Sequence, residues 1–231
     1  MEIVPGVHTI DSLRTGRAYL AVDADRVTVI DTGLKGSAER VLQAVEAAGR
    51  KPQDVRQIVI SHHHGDHTGG LAELVERTGA QVMAHALDAP IVRGERPPPG
   101  PSSGGLLRPL INLLSSRMVS PATPVAVDRE LADGDEIDAL DGMRVVHTPG
   151  HTPGSICFYC PKRRLLFTGD AVANNFGLGP PMGWYTEDMP QARESIRKLA
   201  ALDFEAIFFG HGLPIDREAA LCFRRLVEKL R

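Results

Sequence analysis

The sequence carries three cysteines in 231 residues, an odd number and too few for a disulfide framework. A small scaffold stapled by disulfides is therefore excluded. Cys157 and Cys160 form a CxxC within SICFYC, a spacing that redox and zinc pairs also use. The stretch alternates as a strand does, and side chains three apart on a strand point to opposite faces, so strand packing is the preferred reading. No window approaches the roughly 18 apolar residues of a membrane span, and the start, MEIVPGVHTIDSL, lacks the basic head and apolar stretch of a secretory signal. The expectation is a soluble, cytoplasmic protein with no membrane partner. Runs of one charge are missing as well: 26 Lys and Arg are scattered among 29 Asp and Glu, for a formal net charge of −3. With no basic stripe to track a phosphate backbone, nucleic acid is not an expected partner.

What is present suits a globular chain with a proper core, at 42% hydrophobic residues. VHTI, AYLAV and RVTVIDTG read as strands, SAERVLQAVEAAG as a Ser-capped amphipathic helix, and VRQIVIS, Val55 to Ser61, as an apolar strand. LAELVERTG then reads as a helix and AQVMAH as a strand. In the second half MRVVHTP, SICFYC, RLLFTGD and AIFFGHG read as strands, with MPQARESIRKLAAL and DREAALCFRRLVEKL as helices. Two β-rich halves, each followed by helices and joined without an evident linker, suggest two packed sheets with helices outside, in one α/β domain over 1–231. One stretch breaks the rhythm. RGERPPPGPSSGG, Arg93 to Gly105, is irregular by composition, and LLRPLINLLSSRM after it fits a short helix interrupted at Pro109. An insertion at about 93–124 is read as a lid over the site, with a mobile loop or a homodimer contact as alternatives.

SHHHGDHTGG, Ser61 to Gly70, packs four histidines and an aspartate into six consecutive positions. His62 and His64 project to one side of an extended segment while His63 projects away. Asp66 and His67 follow a Gly that permits a tight turn before a helix. The pattern HxHxDH thus offers three nitrogens and a carboxylate, a donor set suited to Zn, Fe or Mn. Three more polar residues stand beside glycines after strands: His151 in TPGHTPGS, Asp170 in LLFTGDA and His211 in FFGHGLP. Each alone is a weak signal; in this order after HxHxDH they reinforce one another.

Together, VIDTG, HHHGDHTGG, TPGHTPGS, FTGD and GHG resemble the metallo-β-lactamase superfamily, in its order and over nearly the whole chain. The resemblance implies an α/β fold of four layers, an αββα sandwich of two mixed β-sheets with helices on the outer faces. It also implies two divalent ions, Zn2+ foremost with Fe or Mn as alternatives. By position, His62, His64 and His151 resemble the ligands of the first ion, Asp66, His67 and His211 those of the second, and Asp170 the carboxylate bridging both. Asp31 in VIDTG resembles a residue that orients a ligand, with a simple turn role as the alternative. His8, His63, His85 and His147 lie outside the motif and receive no catalytic role.

The chemistry implied is hydrolysis of an ester-like carbonyl in a small molecule, whether thioester, lactone or ester. A water held between two ions has its pKa lowered from about 15.7 towards roughly 7, and Asp66 orients it or carries its proton. Several departures narrow the substrate. Asp170 supplies a carboxylate that true β-lactamases of the superfamily lack. Ala173 stands where one type of lactonase has a Tyr clamp. Glyoxalase II shares HxHxDH and FTGD but typically continues into C-terminal sequence that grips glutathione, with no obvious equivalent here. The absence of arms and of a basic face makes phosphodiester cleavage a weaker reading, and His64 stands where flavodiiron reductases usually have Glu. A mononuclear iron oxygenase resembling persulfide dioxygenases stays open, as does a fold kept for binding alone. Substrate contacts are expected from the loop after Asp170, at Asn174, Asn175, Phe176, Trp184 and Tyr185, although the last two could instead cover the core edge.

Overall fold

The structure is a computed structural model that describes residues 1–10, 15–99 and 122–230. It contains two compact units: one holds the chain up to Pro98 and the stretch ending at Leu131, and the other runs on from Ala132. Most of the 93–124 insertion, including the helix expected in its apolar half, lies outside the described residues.

In the first unit β1 (Glu2–Val4), β2 (Val7–Thr9), β3 (Tyr19–Val22), β4 (Val27–Ile30), β5 (Val55–Ile60), β6 (Gln81–His85) and β7 (Arg129–Leu131) form one sheet in sequence order. Pairs from β1 to β4 are antiparallel and those from β4 to β7 are parallel. The switch follows the connections, because parallel neighbours need a crossover and helices supply it. Helix α1 (Ala38–Ala47) joins β4 to β5, and α2 (Gly65–Thr68) with α3 (Leu71–Thr78) joins β5 to β6. On α1, Ala38, Val41, Leu42 and Val45 recur at helical spacing and are all buried, in one core cluster with Leu71 and Leu74 of α3. Each such large apolar side chain contributes roughly 1.5–3 kcal/mol on burial.

The second unit has a five-stranded sheet of β8 (Glu136–Ile137), β9 (Met143–His147), β10 (Ile156–Cys160), β11 (Leu165–Phe167) and β12 (Ala206–Phe208), in the order β12-β11-β10-β9-β8. A short helix in the first unit, α4 (Ala89–Val92), precedes two long ones here, α5 (Met189–Leu199) and α6 (Ala219–Lys229). Helix α5 starts at Asp188, whose Oδ1 accepts from Gln191 N at 2.9 Å, with Pro190 in the first turn. Ile196, Leu199, Phe204, Phe209, Phe223 and Leu226 share this unit's core cluster, and the Phe204 and Phe223 rings meet edge to face at 5.6 Å.

Strand direction prepares the chemistry. In the first unit β4, β5 and β6 run parallel, so their C-terminal ends share one sheet edge. In the second unit β9 and β11 both run antiparallel to β10, and β12 runs parallel to β11. Their three C-terminal ends therefore share an edge too, the position where open α/β sheets carry ligand sites. Cys157 and Cys160 lie on β10, both buried and neither in a disulfide. Desolvation pushes the Cys157 thiol up to about 12, against a smaller opposing effect of Thr148, whose Oγ1 lies 3.2 Å from Sγ. No described helix is long and apolar enough to cross a membrane.

Candidate metal centre

In the first unit β5 runs straight into Ser61, His62, His63 and His64, and α2 then carries Asp66 and His67. Gly65, expected to make a tight turn, is the first residue of α2. The close approach belongs to Gly69, where a Cβ would lie 2.3 Å from Lys35 N and 2.5 Å from Leu34 C. That contact seats α2 on the turn after β4. Thr32 completes the grip, donating to His67 O from its backbone N at 2.7 Å and from its hydroxyl at 2.8 Å.

Asp31 organises the nitrogens. It is buried, sits at φ +58°, and its carboxylate accepts from Ser61 N at 2.8 Å and from Ser61 Oγ at 2.7 Å. His67 Nδ1 lies 2.8 Å from the same carboxylate. Because a carboxylate only accepts, His67 carries its proton on Nδ1 and turns the Nε2 lone pair outward. Ser61 has one hydroxyl proton, and that proton goes to Asp31. His62 Nδ1, 3.0 Å from Ser61 Oγ, must then donate, which leaves its Nε2 as an acceptor. His62 Nε2 stands 3.1 Å from His64 Nδ1. Two lone pairs that close repel unless a proton or a cation lies between them. Asp31 thus occupies a left-handed turn position and also bonds to a motif histidine. Asp66 Oδ2 receives the Thr15 hydroxyl at 3.4 Å.

His63 faces elsewhere. Its backbone N and ring Nδ1 lie 2.9 and 3.0 Å from one oxygen of Asp88, Oδ2, which pins the middle of HxH.

In the second unit the three motif residues come from the shared edge: His151 after β9, Asp170 after β11 and His211 after β12. Asp170 Oδ2 lies 3.5 Å from His151 Nε2 and 3.2 Å from His211 Nε2. Gly210 N donates to Gly169 O at 2.7 Å, tying the two loops together just before Asp170 and His211. At Gly212, φ +94°, a Cβ would come 2.2 Å from the Asn174 carbonyl, so only glycine fits beside His211. Two donors on one tetrahedral zinc, each at about 2.0–2.1 Å, stand about 3.4 Å apart. The spacings of 3.1, 3.2 and 3.5 Å all fit that figure. Among the described residues, each of the seven motif positions belongs to a group of three His or Asp side chains able to hold a metal ion.

The metallo-beta-lactamase superfamily profile matches residues 12–211. The chain belongs to this superfamily. A probable metallo-hydrolase of Bacillus subtilis, YflN, is 29% identical to it, over 93% of this chain and 86% of that protein. A hydroxyacylglutathione hydrolase of Cereibacter sphaeroides is 35% identical over 88% of this chain, which spans 65% of that protein's length. Among solved structures, a metallo-beta-lactamase family protein from Thermus thermophilus matches with a TM-score of 0.72 at 24% identity, covering 98% of this chain and 78% of that one. The fold is therefore the metallo-β-lactamase fold, with two mixed sheets and their helices.

Within this superfamily member, the loop after Asp170 closes tightly, with Ala173 and Gly179 exchanging backbone hydrogen bonds of 3.0 and 2.9 Å. Phe176, at its tip, is fully exposed. Asn174 Nδ2 donates to Leu213 O at 2.8 Å, linking this loop to the one after His211. Trp184 and Tyr185 lie on a 3-10 turn, Gly183–Tyr185, and are 60% and 38% exposed, so neither is sealed into the core edge. Sequence reasoning passed over Ser61, Asp88 and Thr186. Each acts through a hydrogen bond to a distant or adjoining loop, and none stands in a pattern that marks it.

Proposed function

We propose that the chain is a metal-dependent hydrolase that holds two divalent ions, most simply Zn2+, and cleaves an ester-like bond in a small molecule, with thioesters as the leading class. His62, His64 and His151 would hold one ion, Asp66, His67 and His211 the other, with Asp170 shared. The observation that carries the reading is Asp170 Oδ2, within 3.5 Å of His151 Nε2 and 3.2 Å of His211 Nε2. One carboxylate oxygen meets a nitrogen from each ligand set. When bound, two such ions supply a water of lowered pKa and a Lewis acid for the carbonyl.

The chain's own residues do the rest. Asp31 and Ser61 hold His67 and His62 with their Nε2 lone pairs outward, so no reorganisation is needed when a cation arrives. Asp66 orients the attacking water and takes its proton, while the Thr15 hydroxyl restrains one of its oxygens. The tip of the loop after Asp170, with Asn174 and Phe176, and the turn with Trp184 and Tyr185 meet the substrate. The hydroxyacylglutathione hydrolase relative supports a thioester, since glutathione thioesters are what such an enzyme is named for cleaving. The test is metal analysis of protein purified without added metal, followed by assay of that protein and of its zinc-reconstituted form against thioesters, lactones, simple esters, phosphodiesters, β-lactams and a persulfide. Turnover of thioesters or esters is expected. Oxygen uptake on a persulfide with one bound iron would replace the proposal with an oxygenase.

A further inference from the structure

We infer that Thr186 is a positioning residue that sets the tautomer of His151 and fastens it to the aromatic turn carrying Trp184 and Tyr185. The inference rests on the reading of His151 as a metal ligand. Thr186 is buried at 2% exposure although Met182, Trp184 and Tyr185 beside it are exposed. A hydroxyl removed from water needs partners. Its Oγ1 donates to Met182 O at 2.9 Å and lies 3.2 Å from His151 Nδ1. The one hydroxyl proton is thereby spent on Met182, so the imidazole must donate from Nδ1. Nε2 is left as the acceptor, the same atom that stands 3.5 Å from Asp170 Oδ2.

The backbone repeats the attachment. Glu187 N donates to His151 O at 3.2 Å and Asp188 N to Gly150 O at 2.8 Å, so the segment after the turn docks on the residues that present the ligand. Tyr185 N donates to Met182 O at 3.2 Å, which closes the turn on the same carbonyl that receives the Thr186 proton. The first unit solves the same problem separately, with Ser61 holding the Nδ1 proton of His62. A buried hydroxyl thus fixes one histidine in each unit. Without it, His151 is free to carry its proton on Nε2, which blocks the lone pair that a metal needs.

Two measurements test this. In metal-free wild-type protein at about pH 8, above the ordinary histidine pKa of about 6.5, 15N-edited NMR should find the His151 proton on Nδ1; a proton on Nε2 overturns the inference. This arm requires no variant to fold. In competition with a chelator, Thr186→Val should hold zinc about 10–100-fold more weakly, the range seen when a partner of a metal-bound histidine is removed. Thr186→Ser, which keeps the hydroxyl, should restore retention. Wild-type retention in folded Thr186→Val overturns the inference, as does weak retention in folded Thr186→Ser. His151→Ala separates the two levels of failure. If that variant also binds zinc normally, the metal reading itself fails; if it loses zinc while Thr186→Val does not, only the role of Thr186 falls.

Discussion

The first unit takes four of its motif residues from six consecutive positions, whereas the second gathers three from the ends of three strands. Burial does not split along this line: His62 and His67, held by a buried network of Asp31 and Ser61, are at 1% and 0% exposure and His151 is at 2%, while His64 and Asp66, like Asp170 and His211, are half-buried. A contiguous motif can be arranged locally, by the backbone bonds of α2 and one carboxylate behind it. A dispersed set depends on strand register and on loops tied to each other, as Gly210 N ties to Gly169 O. The difference teaches that the first unit sets its donors by local hydrogen bonds behind one motif, whereas the second places its residues by sheet topology and then orients single ones, as Thr186 does His151.

Four substitutions probe that contrast, and the largest effect is expected from Asp170→Asn. It removes the negative charge shared by His151 and His211, so metal content measured by plasma mass spectrometry should collapse and activity with it. A fully loaded, fully active variant would break the account of the second unit. Next is Asp31→Ala, which strands a buried His67 Nδ1–H and the Ser61 donors. Each unsatisfied group costs about 1–3 kcal/mol, visible in denaturant unfolding of metal-free protein. Zinc affinity should also fall about 10–100-fold. Unchanged stability and affinity together would show that the first unit is not prearranged by this carboxylate.

The His63→Ala variant should keep its metal, because the Asp88 bond to the backbone N of residue 63 survives the change. Its stability should drop by about 1–3 kcal/mol, since Asp88 loses the ring donor. Lost metal there would mean that the register of the loop is misassigned. Smallest is the effect of Cys157, whose thiol is raised from 9.0 to about 12 by burial. Below pH 9 it is protonated in both folded and unfolded chains and contributes nothing to pH dependence. As pH rises from 9 towards 12 the unfolded chain ionises first, so stability should fall over that window more in wild type than in Cys157→Ala. A pH-independent difference between the two would contradict the burial of this thiol.

Much of this was legible in the sequence for a physical reason. Strands such as VRQIVI and ICFYC stand out as near-continuous apolar runs because they bury both faces, and the helices α1, α3, α5 and α6 carry helical periodicity because each buries one. The edge strands EIV, REL and EI show neither, being two or three residues long with exposed positions. His62, His64 and His67 were legible because their spacing is local, and His151 and His211 because each stands beside a glycine after a strand. Their partners were less so: Asp31, 36 residues from His67, was marked only by the likeness of VIDTG to a family motif, and Thr186, 35 from His151, by nothing, because only the folded chain closes those separations. At Gly65 the expected tight turn coincides with the first turn of α2, where His67 N donates to His64 O at 2.9 Å, while the contact of Gly69 with Lys35 that seats this helix is tertiary and left no mark in the sequence.

The most direct test of the central claim is native mass spectrometry of the full chain reconstituted with zinc, run in parallel with Asp170→Asn. The account predicts about two ions per wild-type chain, and a loss of bound zinc in the variant. A single ion on the wild-type chain, left in place by Asp170→Asn, would contradict it.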